Sequence, residues 1–465
     1  MRKARIVLTI ILPLAVLAQE KTSIASENKT EFSEKMNAYH ALWNAPEIAK
    51  RINDGIENNR KGDANIVVMD ANGHPVKGVS LDIQQQKHAF LFGCNAFVLG
   101  QLESPERNRQ YEETFTRIFN FATVPIYWKG TEPKQGALRY KEGCDDIWRR
   151  PPVDRFIPFA RKYGLTLKAH PMLWHEHNPE WLPKDPEALK GLYRKRFKEL
   201  ADHYAKDITI WEVTNESSGC HKTYPLYSED RAYVAWAFRE VAPLFGDKNL
   251  LMINDFTCFN ERLPADKTFY YKQISGLLKE GLRIQGIGLQ FHLWFEPRLM
   301  EKHLSGERFQ PERMIEAYKI LSALGRPLYI TEITVPTPAD KDGEEMQAEV
   351  VKNLYRLWFS TPAMAGITYW NLGDSMAHDK ENTAAAGLID KDLKPKVSYR
   401  ILDELINRDW KTRLILKTDD QGTTHFRGFQ GTYTVRVKLA DKEQVFEINL
   451  DKSTTTPNTL KLKPD

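Results

Sequence analysis

The chain has 465 residues, of which 42% are hydrophobic and 28% charged, a composition typical of a globular protein with a large core. Its net charge is only +4 and no block of lysine and arginine stands out, which argues against a nucleic-acid-binding protein. The eleven tryptophans fit a core, and they would also offer rings that stack on the apolar faces of sugars.

The N-terminus has the pattern of a secretory signal peptide over residues 1–18. Three basic residues among the first five precede an apolar run over residues 6–17, and the small residues Val16 and Ala18 suit cleavage before Gln19. An uncleaved anchor is the alternative, but the run is short for a membrane span. We therefore expect an exported protein with no membrane span in its mature chain, located outside the cell, in a periplasm or at a cell surface.

The rest of the chain divides by its pattern of apolar residues. We expect a helical leader over residues 19–60 and a small β-rich segment over 61–87, with two strands around an Asn-Gly turn. Residues 88–408 alternate short apolar strands with helical patterns, and residues 409–465 read as a C-terminal β-rich module. We expect the flanking β-rich pieces to pack against the central part and stabilise it, with glycan binding as the alternative.

Eight strands are predicted in the central segment. They are FLFGCN, ATVPIYW, LTLKAHPML, ITIWEVTN, LLMIND, IQGIGLQF, LYITEI and GITYWNL. Eight strand–helix repeats over this length predict an α/β fold, a TIM (β/α)8 barrel with small β-rich extensions at both ends. A doubly wound open sheet is the alternative, but no glycine-rich phosphate loop follows the first strand.

The four cysteines leave two possibilities open. They are Cys94, Cys144, Cys220 and Cys258. Export permits disulfides, and Cys220 and Cys258 follow neighbouring strands, so they could pair; buried free thiols are the alternative. No CxxC spacing indicates a structural metal.

The predicted strands end in polar residues, which a barrel would direct toward one centre. These residues are His170, Asn215, Glu216, Asn254, Asp255, Gln290, His292, Glu332 and Asn371, the last of which follows the aromatic Trp370. Two of them, Glu216 and Glu332, are carboxylates from different strands, and two opposed carboxyl groups are the equipment of glycoside hydrolysis. The alternative for either glutamate is an ion pair at the top of the barrel, since arginine and lysine are plentiful nearby.

Several motifs resemble those of glycoside hydrolase family 10, the retaining endo-β-1,4-xylanases. WEVTNE resembles the family's Trp-Asp-Val-Val-Asn-Glu signature, and YITEIT is similar to its Thr-Glu-Leu-Asp nucleophile motif. Further similar motifs are KAHPMLWHEHNPEWLP, INDF, GIGLQFHL, YWNLGD and GLIDKDLKPKVSY. Their order and spacing agree with the family from about residue 90 to residue 405, which covers most of the predicted barrel.

The resemblance implies a role for each matching residue. Glu216 would be the general acid/base and Glu332 the nucleophile, with their carboxyl groups about 5–5.5 Å apart. Asn215 would bond the sugar 2-hydroxyl, and Gln290 and His292 would orient Glu332. The remaining substrate-binding residues are aromatic or imidazole groups that would line the cleft: His170, Trp174, Phe256 and Trp370. The implied substrate is a xylan-type polysaccharide or oligosaccharide, decorated xylan included. We expect an endo-acting, monomeric enzyme with no cofactor, no metal and no nucleic-acid partner.

The sequence departs from the family pattern at three places, so the resemblance implies a divergent member. The second strand lacks the family's Glu-Asn pair, which grips sugars on the non-reducing side, and has Pro125, Ile126 and Tyr127 roughly in its place. Thr334 replaces the aspartate that partners the histidine of Gln-x-His in the family. His378 stands about where the family has a second tryptophan. We therefore expect an altered glycan grip and an altered pH profile.

Three other functions compete with this interpretation. One is a β-glycanase of the same barrel clan with another specificity, such as a β-glucanase or a mannanase. A second is a non-catalytic glycan-binding barrel, against which the presence of both glutamates argues. The third is a metal hydrolase using His175, Glu176 and His177, whose adjacent spacing does not match common zinc sites.

Overall fold

The computed structural model describes residues 36–257, 259, 261–293, 298–439, 442–452 and 456–464. The predicted signal peptide and the first part of the predicted leader lie outside these residues, as does Cys258. In the described part of the leader, two helices are present, α1 over residues 36–43 and α2 over Pro46–Arg60. No helix among the described residues is long and apolar enough to cross a membrane.

Two strands follow the leader, β1 (Lys61–Met69) and β2 (Ser80–His88). Next, eight parallel strands close into a barrel in which each strand pairs with the next along the chain and the last pairs with the first. These strands are β3 (Leu91–Asn95), β4 (Phe121–Pro125), β5 (Thr166–His170), β6 (Ile210–Asn215), β7 (Leu250–Asp255), β8 (Gly286–His292), β9 (Leu328–Thr334) and β10 (Met364–Tyr369). The TIM barrel predicted from the sequence is therefore confirmed.

Helices surround the barrel and connect its strands. They are α3 (Pro105–Ile118), α4 (Trp128–Thr131), α5 (Phe156–Tyr163), α6 (Pro186–Tyr204), α7 (Ala232–Val241), α8 (Phe269–Lys279), α9 (Leu299–Leu304), α10 (Pro311–Ser322), α11 (Gly343–Ser360) and α12 (Val397–Glu404). Local sequence explains several starts: Ser104 and Asp185 cap the first backbone N–H groups of α3 and α6, and a proline follows each cap.

The β-rich pieces at the two ends of the chain come together in one two-sheet module. Five strands follow the barrel: β11 (Arg413–Lys417), β12 (Thr423–Phe429), β13 (Gly431–Leu439), β14 (Lys442–Leu450) and β15 (Asn458–Lys461). One sheet has the order β12-β1-β15 and the other β11-β2-β13-β14. Their facing sides enclose a separate apolar core that includes Ile66, Leu81, Val435 and Ile448.

The strands β1 and β2 thus form, but they do not make a hairpin with each other. The Asn-Gly turn is present, with Gly73 at φ 86° and its N–H bonded to the Asp70 carbonyl. Residues 70–79 separate the two strands, so each is free to enter a different sheet, where it pairs with C-terminal strands. The two-sheet module packs at the N-terminal end of the barrel strands, where Phe359 stacks on Trp410 at 4.2 Å.

Candidate active site

Glu216 and Glu332 lie at the C-terminal end of the barrel. Glu332 is part of β9, whose residues are all buried. Glu216 directly follows β6 and has a left-handed backbone, φ 52° and ψ 42°, a conformation that is uncommon for a non-glycine residue and is often found at functional sites. Its N–H donates to the Asn254 carbonyl at 3.0 Å, which ties the residue to the end of β7.

One side chain joins the two carboxyl groups. Nε2 of Gln290 donates to Oε1 of Glu216 at 2.8 Å and to Oε1 of Glu332 at 3.1 Å. These two oxygen atoms can be no farther apart than the sum of the two distances, 5.9 Å. Glu216 and Glu332 are 116 positions apart in the sequence (332 − 216). The two hydrogen bonds from Gln290 show that the fold brings their carboxyl groups close together.

The surroundings of the two glutamates differ. Burial, with the nearby charge of Glu332 second, raises the pKa of Glu216 well above its usual range, so Glu216 retains a proton to higher pH. Glu332 is held by three side-chain groups: Asn254 at 3.2 Å and Gln290 at 3.1 Å on Oε1, and Nε2 of His292 at 3.2 Å from Oε2. Two carboxyl groups in such unlike settings can act as acid and nucleophile.

His292 is positioned by Thr334. Its Nδ1 lies 2.7 Å from Oγ1 of Thr334, while its Nε2 faces Glu332. Thr334 thus stands where the family resemblance places an aspartate, in contact with the same imidazole. A neutral hydroxyl in place of a carboxylate removes one negative charge from the immediate surroundings of the nucleophile candidate.

A buried ionic network lies beneath the two glutamates. Glu212 of β6 accepts a hydrogen bond from the ammonium group of Lys168 at 2.8 Å, and its other oxygen lies 2.8 Å from Nδ1 of His170. Burial opposes ionisation of Glu212, but the charges and hydrogen bonds of His170 and Lys168 prevail and lower its pKa to about 2. The other nitrogen of His170 lies 2.9 Å from the Tyr127 hydroxyl. The network fixes the imidazole of His170 beside Glu332.

A metal ion is a poor fit for this network. Donor atoms of His170, Glu212 and Glu332 lie within 4.8 Å of one another, which is close enough to share a cation. Lys168, however, already supplies a positive charge to Glu212 in the buried interior. The motif of His175, Glu176 and His177 gives no group of three ligands within the described residues.

Aromatic and basic side chains form the walls of a cavity of about 220 Å³ above the glutamates. Its lining comprises Tyr127, Arg149, Arg150, His170, Trp174, His177, Asn215, Glu216, Phe256, His292, Glu332, Trp370, His378 and Glu381. A larger cavity, about 500 Å³, lies at the other end of the barrel near Arg60 and Phe359, and its lining contains neither Asp nor Glu. The smaller cavity is therefore the candidate active site.

All nine residues selected from the sequence are in or against this cavity. Eight line it directly, and the ninth, Gln290, bonds both glutamates from below. Oδ1 of Asn215 accepts from Asn254 at 2.9 Å, which fixes the carboxamide. The structure also places His378 in the lining. The catalytic roles assigned to the nine residues remain predictions.

Sequence reasoning missed several residues of the site. Lys168 and Glu212 carried a signal, because each is a charge inside an otherwise apolar predicted strand, where only a paired charge is tolerated. Arg149 and Arg150 carried none, since they lie on a loop that folds back over the cavity. Cys94, Cys144 and Cys220 are free thiols in the structure, and Cys258, the possible partner of Cys220, lies outside the described residues.

Comparisons with known proteins identify the family and related xylanases. Residues 84–404 match the family model described as Glycosyl hydrolase family 10. The chain is 25% identical over 417 residues to "Anti-sigma-I factor RsgI6" of Acetivibrio thermocellus, with 88% of this chain and 49% of that protein covered, so it spans about half the length of that relative. It is 25% identical over 327 residues to "Endo-1,4-beta-xylanase B" of Thermotoga neapolitana, with 65% of this chain and 85% of that protein covered.

Solved structures share the fold. The xylanase 10B structure from Thermotoga petrophila in complex with xylobiose aligns with a TM-score of 0.56 at 20% identity, covering 69% of this chain and 95% of that one. Native xylanase 10B from Thermotoga maritima aligns equally well, with a TM-score of 0.56 at 21% identity and coverage of 69% and 96%. The aligned part is the size of the barrel, so the two-sheet module and the leader lie largely outside it.

Proposed function

The chain belongs to glycosyl hydrolase family 10 and is a xylanase-like glycoside hydrolase, and we propose that it cleaves β-1,4-xylosidic bonds with retention of configuration. The observation that supports this most is the pair of hydrogen bonds from Gln290, which limits the separation of the Glu216 and Glu332 oxygens to 5.9 Å. Inverting enzymes hold their carboxyl groups roughly 6.5–9.5 Å apart to admit water, whereas retaining enzymes keep them at about 5–5.5 Å.

In the proposed reaction, Glu332 attacks the anomeric carbon while Glu216 gives its proton to the departing glycosidic oxygen. The bond between sugars breaks and a glycosyl ester forms on Glu332. Glu216, now ionised, then takes a proton from water, whose oxygen attacks the anomeric carbon and releases Glu332. The raised pKa of Glu216 supports its role as acid in the first step.

Neighbouring groups support the same steps. The oxygen of the Asn215 carboxamide already accepts from Asn254, so its NH₂ group is the part left for a sugar hydroxyl. Trp174 and Trp370 offer ring faces to the sugar in the cavity, and Phe256 lies against Gly219 on the Glu216 side. We assign decorated xylan or xylo-oligosaccharides as substrates and endo cleavage as the mode, in keeping with the endo-1,4-beta-xylanase relatives.

The test measures products released from glucuronoarabinoxylan, linear xylan, barley β-glucan and mannan, with Glu332→Ala as the control. Xylo-oligosaccharides from the wild type but not from the variant would support the proposal. Activity confined to β-glucan or mannan would support another β-glycanase specificity on this fold. The observation in favour of that specificity is the replacement of the family's Glu-Asn pair by residues such as Tyr127. Proton NMR during early hydrolysis decides the stereochemistry, and an inverted first product would exclude the Glu332 ester.

Two further measurements test the remaining parts of the proposal. Endo cleavage predicts that the viscosity of xylan falls steeply before much reducing sugar appears, whereas exo cleavage would release short sugars with little loss of viscosity. The proposed export predicts that protein recovered from outside the cytoplasm begins at Gln19, as N-terminal sequencing would show. An intact N-terminus on that material would contradict cleavage of the signal peptide.

A further inference from the structure

Two arginines in the active-site cavity are not used by the proposed reaction. Arg149 is 3% exposed and Arg150 is partly buried, and both line the cavity together with Glu332. Among the described residues, no carboxylate oxygen lies within ion-pair distance of either guanidinium. The two positive charges therefore lack the direct partners that buried arginines usually have.

Each guanidinium has hydrogen-bonding capacity left over. Arg149 donates from Nη1 to Asn371 Oδ1 at 2.5 Å and to the Met376 carbonyl, while its buried Nε has no partner in the described chain. Arg150 donates from Nη1 to the Arg149 carbonyl at 2.8 Å, and this is the only hydrogen bond from its guanidinium within the described residues. In Arg150, which is partly exposed, Nε and Nη2 thus have no acceptor among the described residues, and such an edge fits a carboxylate bidentately, whereas Nε of Arg149 is shielded from solvent.

The backbone of this loop is held in a costly conformation. Arg149 has a left-handed φ of 62°, and its N–H is fixed by the side-chain oxygen of Gln101 at 2.8 Å. Burial lowers the pKa of Arg149 to about 10 and also lowers that of Arg150. Strain and desolvation together in one loop are typical of residues kept for a ligand rather than for stability.

The two guanidinium groups have no carboxylate bonded to them in the cavity lining. Glu381 is the acidic residue in this part of the cavity lining, and its Oε2 accepts from Asn371 at 3.1 Å rather than from an arginine. Burial lowers the pKa of His177 to about 4, so it adds no charge near neutral pH. His378, also in the lining, has Asp379 as a partner at 3.2 Å. A neutral sugar chain would bring no negative charge to pair with either guanidinium.

The position of the pair connects it to the sugar bound at Glu332. The Arg150 guanidinium stacks 3.9 Å above the ring of Tyr127, whose hydroxyl lies 2.9 Å from His170. His170 in turn lies 4.0 Å from Oε1 of Glu332. Arg150 is thus connected through Tyr127 and His170 to Glu332, and both arginines line the same cavity as Glu332.

We propose that Arg149 and Arg150 bind the carboxylate of a hexuronic acid carried by the glycan, which makes this enzyme selective for acidic xylan. The proposal rests on the function proposed above, because it places the uronic acid on the chain that Glu216 and Glu332 cleave. A planar carboxylate would accept from the open edge of Arg150 and lie beside the second positive charge, that of Arg149. Tyr127 would keep the Arg150 guanidinium flat and oriented.

The test compares xylo-oligosaccharides bearing a glucuronic acid branch with the same compounds after chemical reduction of the carboxyl to an alcohol. We expect the wild type to have a kcat/KM about tenfold higher on the acidic form. In Arg150→Met, which keeps the packing on Tyr127 without the charge, this ratio should fall to about one. Arg161→Met removes an exposed arginine that pairs with Asp207 and should leave the ratio as in the wild type.

Equal rates on the acidic and reduced forms in the wild type, or an undiminished preference in Arg150→Met, would overturn the proposal. A binding measurement separates it from the reaction itself. Calorimetric titration of Glu332→Ala with both oligosaccharides should give about tenfold tighter binding of the acidic form. If the wild type cleaved no xylo-oligosaccharide, yet this difference in binding were present, the hydrolase proposal would fail and uronate recognition would stand.

Discussion

The buried ion pair between Lys168 and Glu212 makes the sharpest prediction about stability. Both side chains are essentially inaccessible, at 1% and 0%, and their charged atoms are 2.8 Å apart. Replacing lysine with methionine keeps an unbranched side chain that is one atom shorter and removes the charge. Glu212 would then be a buried carboxylate supported by His170 and by Asn254, whose Nδ2 is 3.3 Å away.

The structure sets the size of the effect. His170 and Lys168 together lower the pKa of Glu212 from 4.5 to about 2, and at 1.36 kcal/mol per pKa unit this corresponds to about 3 kcal/mol of stabilisation shared between the two partners. Because the folded pKa is depressed, that stabilisation is present above pH 4.5 and is lost as the pH falls through 2. Removing one partner of a buried pair typically costs about 3–5 kcal/mol. We therefore expect Lys168→Met to lose about 3 kcal/mol or more at pH 7.

Urea unfolding at pH 7, followed by tryptophan fluorescence, measures the loss. Lys198→Met is the matched control, since Lys198 pairs with Asp202 on the surface with 66% and 58% of the side chains exposed, and it should cost less than about 1 kcal/mol. The double variant Lys168→Met with Glu212→Leu removes both charges and should recover part of the loss. A Lys168→Met protein within about 1 kcal/mol of the wild type would refute the argument that Glu212 needs its cation.

Three more predictions concern the reaction. Glu216→Gln should lower the rate of xylan hydrolysis by roughly 100-fold or more, because the leaving oxygen is no longer protonated. The rate on aryl glycosides with acidic leaving groups should change little, since these leaving groups need no protonation. Equal losses of rate on both substrates would contradict the acid role. Glu332→Gln removes a neighbouring negative charge and should lower the pKa of Glu216, measured by carbon NMR titration; an unchanged pKa would mean that burial alone raises it. Thr334→Val deletes the 2.7 Å contact with His292. It should reduce kcat about two- to tenfold with little change in the unfolding midpoint. An unchanged kcat would show that the contact has only a structural role.

The fold was predictable because its signals are local and repeated. Each barrel strand is a short apolar run, since parallel strands are covered on both faces, and β6, β8 and β9 are buried at every residue. Polar residues at the strand ends then predicted the site, because a parallel barrel brings those ends together. The joining of β1 and β2 to the C-terminal strands was not predictable, as pairing across more than three hundred residues leaves no mark on either segment.

The sequence by itself determined the barrel, the two glutamates and the aromatic residues around them, because strand periodicity and strand ends are read from neighbours in the chain. Only the tertiary structure decided what surrounds each glutamate. Gln290 bridges the two carboxyl groups, and Lys168 neutralises Glu212, through contacts between different strands. The tertiary fold likewise brought Arg149 and Arg150 over the cavity. Charge, burial and distance belong to the folded chain, and these three quantities set the chemistry of the site.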